Sequence, residues 1–199
     1  MDLSLLGLVA ASGWASGINL YAVVGLLGLF GRTGLGEVPD VLMRTDVIAV
    51  ALGLFALEFV ADKIPWFDSF WDVAHSVVRP LGAAALGAVL AGDVDSVPQA
   101  FAALGSGGLA AAAHAAKATT RLAINTSPEP ATNIGASLVE DGLVLGVIWF
   151  AVTNPVLALV LVAVLLVAGT ALIIALIGAA RRAWRARRDR RHRRGVPSG

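Results

Sequence analysis

The residues of this chain with the widest chemical reach stand in two stripes. Asp68, Asp72, His75 and Arg79 are spaced at i, i+4, i+7 and i+11, and His114, Lys117, Arg121 and Asn125 at i, i+3, i+7 and i+11. Those intervals put each set on one face of a helix. The flanking segments are strongly apolar, and a charge beside hydrocarbon is costly unless it is paired, hydrated or used. The chemistry within reach is ion and proton handling: carboxylates take up and release protons or cations, and basic groups hold them in register.

Each stripe belongs to a larger cluster. In the first, Glu58 and Asp62 lie one helical turn apart, followed by Lys63, Pro65, Asp68, Asp72, His75 and Arg79-Pro80. Pro65 ends one helix or opens the next, because it lacks an amide proton and restricts the residue before it. The second runs from His114, Lys117, Arg121 and Asn125 through Ser127-Pro128-Glu129-Pro130 to Asn133, Ser137, Glu140 and Asp141. Ser-Pro-Glu-Pro reads as a rigid, extended connection. Asn19 is a further polar residue inside an apolar segment and joins the candidate set. The clusters invite two compatible readings. Acidic groups of the first pair with Lys117 and Arg121 of the second and pin two proline-broken helical hairpins together, giving register more than stability. Alternatively, the stripes line a wet pathway for a small ion or polar solute, in a proton-coupled form as well. The pathway reading predicts a polar cavity between the hairpins.

Other chemistries rank lower. The chain has no cysteine, which excludes disulfides, thiolate metal sites and cysteine nucleophiles. Three histidines, one of them in the tail, make a poor transition-metal set. No cofactor is implied, although Glu58, Asp62, Asp68, Asp72, Glu140 and Asp141 are oxygen donors suited to a hard divalent cation. No nucleophile elbow, HExxH or P-loop is present. Catalysis therefore stands behind transport and behind a non-transporting scaffold that binds lipid or a protein partner.

The elements that must position these groups follow from composition. Of 199 residues, 57% are hydrophobic and 15% charged, against about 25% charge in soluble domains. The mean hydropathy is +0.79. This is the profile of an all-α, polytopic membrane protein with one membrane domain over residues 1–180. Six spans are expected: Leu3 to Phe30, Val47 to Ala61, Val77 to Ala91, Pro98 to Ala118, Ile134 to Val152 and Val156 to Ala180. The first is either one tilted helix or one with a break. The opening Met1-Asp2-Leu3 lacks a basic n-region, which argues against a signal peptide.

Charge is unevenly distributed. Residues 1–180 hold six basic and thirteen acidic side chains, whereas 181–199 hold nine arginines and one aspartate. Arginine directly after a span acts as a topology anchor against anionic lipid headgroups, at Arg181 to Arg194 here, rather than as a nucleic-acid arm. The tail is expected to be disordered. Six spans place both termini on the cytoplasmic side of a bacterial inner membrane, with Lys63, Arg79, Lys117 and Arg121 on that side too. A homo-oligomer is compatible with this layout.

With these residues in view, the chain resembles DUF4126, a family of small bacterial integral membrane proteins. The matching elements are Gly17-Ile18-Asn19-Leu20-Tyr21, Ala61-Asp62-Lys63-Ile64-Pro65 with Asp68 and Trp71-Asp72, and Arg79-Pro80. They continue with His114, Lys117, Arg121, Asn125-Thr126-Ser127-Pro128-Glu129-Pro130, Asn133, Ser137 and Glu140-Asp141. The resemblance implies a membrane domain with this polar core and carries no reaction or substrate. Glu58-x-x-x-Asp62-Lys63 is also similar to the Glu-x-Gly-Asp-Lys/Arg motif of cation exchangers, with one extra residue and no glycine.

Overall fold

The computed structural model describes residues 1–64, 66–92, 95–126 and 130–194, and among these it contains helices and no strand. The helices are α1 (Leu3–Arg32), α2 (Asp40–Met43), α3 (Thr45–Ala61), α4 (Phe67–Ala91), α5 (Ser96–Ile124), α6 (Pro130–Thr153) and α7 (Pro155–Arg194). The connections are short, so successive long helices from α3 onward alternate in direction. Pro130 and Pro155 each open a helix, where a missing amide proton costs nothing. Pro80 lies inside α4 without ending it. The apolar segments expected to begin at Val77 and to end at Ala118 are therefore continuous with the polar stripes.

Four helices, α1, α4, α6 and α7, are long and apolar enough to cross a membrane, rather than a clear six. α3 has 17 residues. In α5 the apolar character is diluted by Ser, His, Lys and Arg among the Ala and Gly residues. α7 is a single helix of 40 residues that continues through Arg194, so Arg181 to Arg194 stand on it.

α1 has the length of a span but folds back on itself. Asn19 takes φ −152° and ψ 96° and interrupts the helix. In the first arm, residues 3–18, Gly7 backs onto Pro155, Gly13 onto Ser106 and Gly17 onto Ala110 and Ala113. That arm runs parallel to α5. In the second arm, residues 20–32, Gly25 faces Leu52 and Gly28 faces Ile48, so it runs antiparallel to α3. Phe30 packs edge-on against Trp149 with ring centroids 5.7 Å apart. In a straight helix Gly7 and Phe30 would be about 35 Å apart at 1.5 Å per residue, yet they touch opposite flanks of the Asn154 turn. Both arms therefore end at the Asn154 end of the bundle, with Asn19 at the tip.

The sequence permits this because the first arm is built from small residues. Ser12, Gly13, Ala15, Ser16 and Gly17 are all buried and allow backbone-to-backbone packing on α5. A Cβ on Gly13 would lie 2.7 Å from the Ser106 Cα. Asn19 Oδ1 accepts a hydrogen bond from the Ala22 amide at 3.0 Å, capping the second arm. Met1 thus sits at the Asn154 end, while α7 starts there and runs to the opposite end. Met1 and the end of α7 at Arg194 lie at opposite ends of the bundle.

A closed charge network at the hairpin tip

α3 and α5 end, and α4 and α6 begin, at the end of the bundle remote from Asn154, which brings the two polar clusters together. A helix end leaves carbonyls without intrahelical partners, and the break at Asn19 exposes two of them halfway along α1. Arg79 Nη1 donates to the Gly17 carbonyl at 3.4 Å, and Lys117 Nζ to the Ile18 carbonyl at 3.2 Å. The tip of the hairpin is therefore held by two cations from different helices.

The same cations hold the carboxylates. Arg79 Nη2 donates directly to Glu58 Oε1, and its Nη1 donates to Asp72 Oδ1 at 3.1 Å. Lys117 Nζ donates to Asp62 Oδ2 at 2.6 Å and lies 3.6 Å from Glu140, 3.9 Å from Glu58 and 4.0 Å from Asp72. Arg121 grips Glu140 through two nitrogens, at 3.2 and 2.6 Å. It also lies 3.7 Å from Asp68 and 3.8 Å from Asp62, and donates to the Asp62 carbonyl at the end of α3. Five carboxylates and three cations from α3, α4, α5 and α6 form one connected set.

Neutral groups complete it. Asn125 Nδ2 donates to Asp68 Oδ1 and to Ser69 Oγ, both at 2.9 Å. Asn133 Nδ2 donates to Asn125 Oδ1, and Asn133 Oδ1 accepts from Arg121. His114 Nδ1 faces Arg79 Nη1 at 2.6 Å, so that nitrogen accepts, and its Nε2–H donates to Ser76 Oγ at 3.1 Å. His114 is therefore neutral and protonated at Nε2. His75 donates from Nδ1 to the Trp71 carbonyl, and its Nε2 shares a hydrogen bond with the Tyr21 hydroxyl at 3.2 Å.

Of the residues expected from the sequence, Asn19, Glu58, Asp62, Asp68, Asp72, Arg79, His114, Lys117, Arg121, Asn125, Asn133 and Glu140 meet in or against this network. His75 stands beside it with Tyr21. Lys63 is at the edge, over the Phe59 ring with Nζ 2.9 Å from the centroid, and donates to Ser137 Oγ at 3.2 Å. Asp141 is near this edge, and its Oδ2 is buried without a hydrogen-bond partner. Glu129 lies outside the described residues. Sequence reasoning missed Ser69 and Ser76, although Ser76 lies one helical turn from Asp72, and named Tyr21 only as part of the family resemblance, not as a site residue. It also missed the Gly17 and Ile18 carbonyls, for which Asn19 in an apolar run was the one available signal.

The polar cavity expected between the hairpins is filled by the charged side chains themselves. Glu58, Asp68, Arg79 and Arg121 have no exposed surface, because opposite charges on facing helices close onto each other. The two cavities described lie elsewhere. One, of about 1090 Å³, opens at the Asn154 end between the arms of α1 and is lined by Asp2, Leu5, Leu8, Gly31 and Glu37. The other, of about 430 Å³, is an apolar groove of Leu20, Tyr21, Val24, Val50 and Leu54. Among the described residues, no three carboxylates or histidines converge as a metal site, since cations stand between the carboxylates.

The sequence model of a domain of unknown function, DUF4126, matches residues 6–175. No curated protein and no solved structure matches the chain. The match covers the hairpin and every helix that contributes to the network. The chain belongs to the DUF4126 family.

Proposed function

For this member of the family, we propose transport of a small ion or polar solute across a membrane, with the closed network as the occluded form of the transport site. The observation that supports this reading most is the broken α1, whose freed carbonyls and the acid-rich network meet inside the bundle. Irregular backbone at membrane depth is tolerated where it is buried in protein or lines a cavity, and broken helices meeting charged groups are how many transporters build their sites. The arms of α1, 16 and 13 residues by their bounds, are each too short to cross about 30 Å of hydrocarbon. In this reading α1 is a re-entrant hairpin entering from the Asn154 face, and α3 to α7 cross five times.

The arginines of α7 set the orientation. With Arg181 to Arg194 against anionic headgroups on the cytoplasmic side of a bacterial inner membrane, Met1 and the large cavity between the hairpin arms face outward. The Asp62 end, with the network just inside it, faces the cytoplasm. Transport requires the hairpin tip to release Arg79 and Lys117, opening the network to one face. The exposed apolar side of α7, from Val156 to Ile177, contacts lipid or a second copy of the chain.

Reconstitution into liposomes tests this directly, comparing ion and proton flux of wild type with Asp62→Asn. The expected result is flux above empty vesicles that falls in the variant. Equal flux in both, at the background of empty vesicles, would remove the transport reading. The complete burial of the network favours a second reading, a scaffold in which the ion pairs only fix helix register. That reading predicts a folded, flux-silent protein whose network substitutions change stability alone.

A further inference from the structure

The network does not balance its own charge. It joins Glu58, Asp62, Asp68, Asp72 and Glu140 to Arg79, Lys117 and Arg121, and the close Arg79 contact makes the neighbouring His114 ring neutral. Fully ionised, it would hold two more negative than positive charges in the interior, where unpaired charge is costly, and a proton on one carboxylate halves that excess. A metal ion is poorly placed to supply the compensation. The carbonyls freed at Asn19, which would be natural oxygen ligands, are already taken by Arg79 and Lys117.

The hydrogen bonds single out one carboxylate for a proton. Glu140 is held by two nitrogens of Arg121, Asp62 by Lys117 at 2.6 Å, and Glu58 directly by Arg79. Asp68 Oδ1 accepts from the Ser69 amide at 2.6 Å and from Asn125 at 2.9 Å, and such bonds favour the charged form. Asp72 has the least support. Each of Glu58, Asp62, Asp68 and Asp72 has one buried oxygen without a partner, but Asp72 accepts only one hydrogen bond, at 3.1 Å from an Arg79 that it shares with Glu58, and stands 4.0 Å from Lys117. The groups grouped around it are Glu58 from α3, His75 and Arg79 from its own helix, His114, Lys117 and Arg121 from α5, and Asp62 and Glu140 through Lys117.

We propose that Asp72 is a proton-binding site, protonated while the network is closed and releasing its proton when the network opens. The proton comes from water, adds to the carboxylate and leaves a neutral acid, so Arg79 is left with Glu58 as its charged partner. The inference rests on the transport reading for its role, in which it makes the coupling ion a proton, but its test does not depend on flux.

Infrared spectroscopy of the purified protein at neutral pH tests the proposal. A protonated carboxyl C=O band that shifts on exchange into D2O is expected in wild type, and in Asp62→Asn wherever that variant folds. Asp72→Asn should lose the band and keep wild-type thermal stability, because an amide mimics the neutral acid. Absence of the band in wild type, or its persistence in Asp72→Asn, would overturn the assignment. If Asp72→Asn does not fold, Asp72→Glu retains a carboxyl in a changed setting. A shifted band there supports the site, and an unshifted one overturns it. A band without flux would leave the proton site and remove transport; flux without a band would do the reverse.

Discussion

Two ion pairs of nearly equal length behave as different objects in this protein. Lys117 and Asp62 meet at 2.6 Å in the bundle interior, and Arg44 and Asp46 meet at 2.7 Å at the entrance to α3. The first pair is almost without exposed surface, and both members of the second are 63% exposed. Water screens the surface pair and replaces either partner at little cost. In the interior, removing one partner strands the other, so the same contact becomes a commitment of the fold. Burial, not distance, decides what an ion pair does here.

The sharpest way to test that contrast is to remove one of the fully buried cations. Arg79 holds Glu58, Asp72 and the Gly17 carbonyl together, and Arg79→Met should destabilise by about 3–5 kcal/mol, the range for breaking a buried pair. Unfolding in detergent, followed by loss of helical signal, measures it. A change below about 1 kcal/mol, the range of exposed pairs, would erase the distinction between the two regions.

Next in size is the packing that brings the hairpin tip to the network. Gly13→Val places a side chain against the Ser106 backbone, and overpacking of this kind costs about 1–3 kcal/mol. The substitution should lower the melting temperature and expose the α1–α5 seam to proteolysis. Asn19→Ala removes the cap on the second arm, a loss of about 1 kcal/mol, measurable in the same unfolding assay. An unchanged midpoint would mean that the cations, not the cap, hold the break.

The smallest effect is expected at the surface pair. The Arg44 guanidinium, hydrogen-bonded to Asp46, lowers the Asp46 carboxyl from its ordinary 3.8 to about 2. A depressed carboxylate contributes above its unfolded value and loses that contribution as pH falls through the folded one, so the window is from 3.8 down to about 2. Asp46→Asn should lower the unfolding midpoint at neutral pH by no more than the small amount expected of an exposed pair, and that difference should vanish as the pH falls towards about 2 or as salt is raised. A clear loss at neutral pH would show that exposure does not protect this pair from mattering.

Much of this organisation was legible along the chain. The periodicity of Asp68 to Arg79 and of His114 to Asn125 placed both stripes correctly on helix faces, and opposite charge at similar depth implied that they meet. Legibility failed where the determining contact was between backbones. A break in the first apolar segment was one of two expected forms, but that the chain turns back there is not read from composition, which counts apolar residues without regard to direction.

The sequence by itself determined an all-helical membrane protein of the DUF4126 family with a charged core at one end. It did so because hydropathy and 3.6-residue spacing are local properties. Only the tertiary structure decided that α1 turns back at Asn19, that the Gly17 and Ile18 carbonyls are held by Arg79 and Lys117, and that the charged side chains are buried against one another. Those outcomes depend on groups up to 99 positions apart, as Lys117 and Ile18 are. A single extended residue leaves no periodic trace, and a carbonyl has no letter in the sequence.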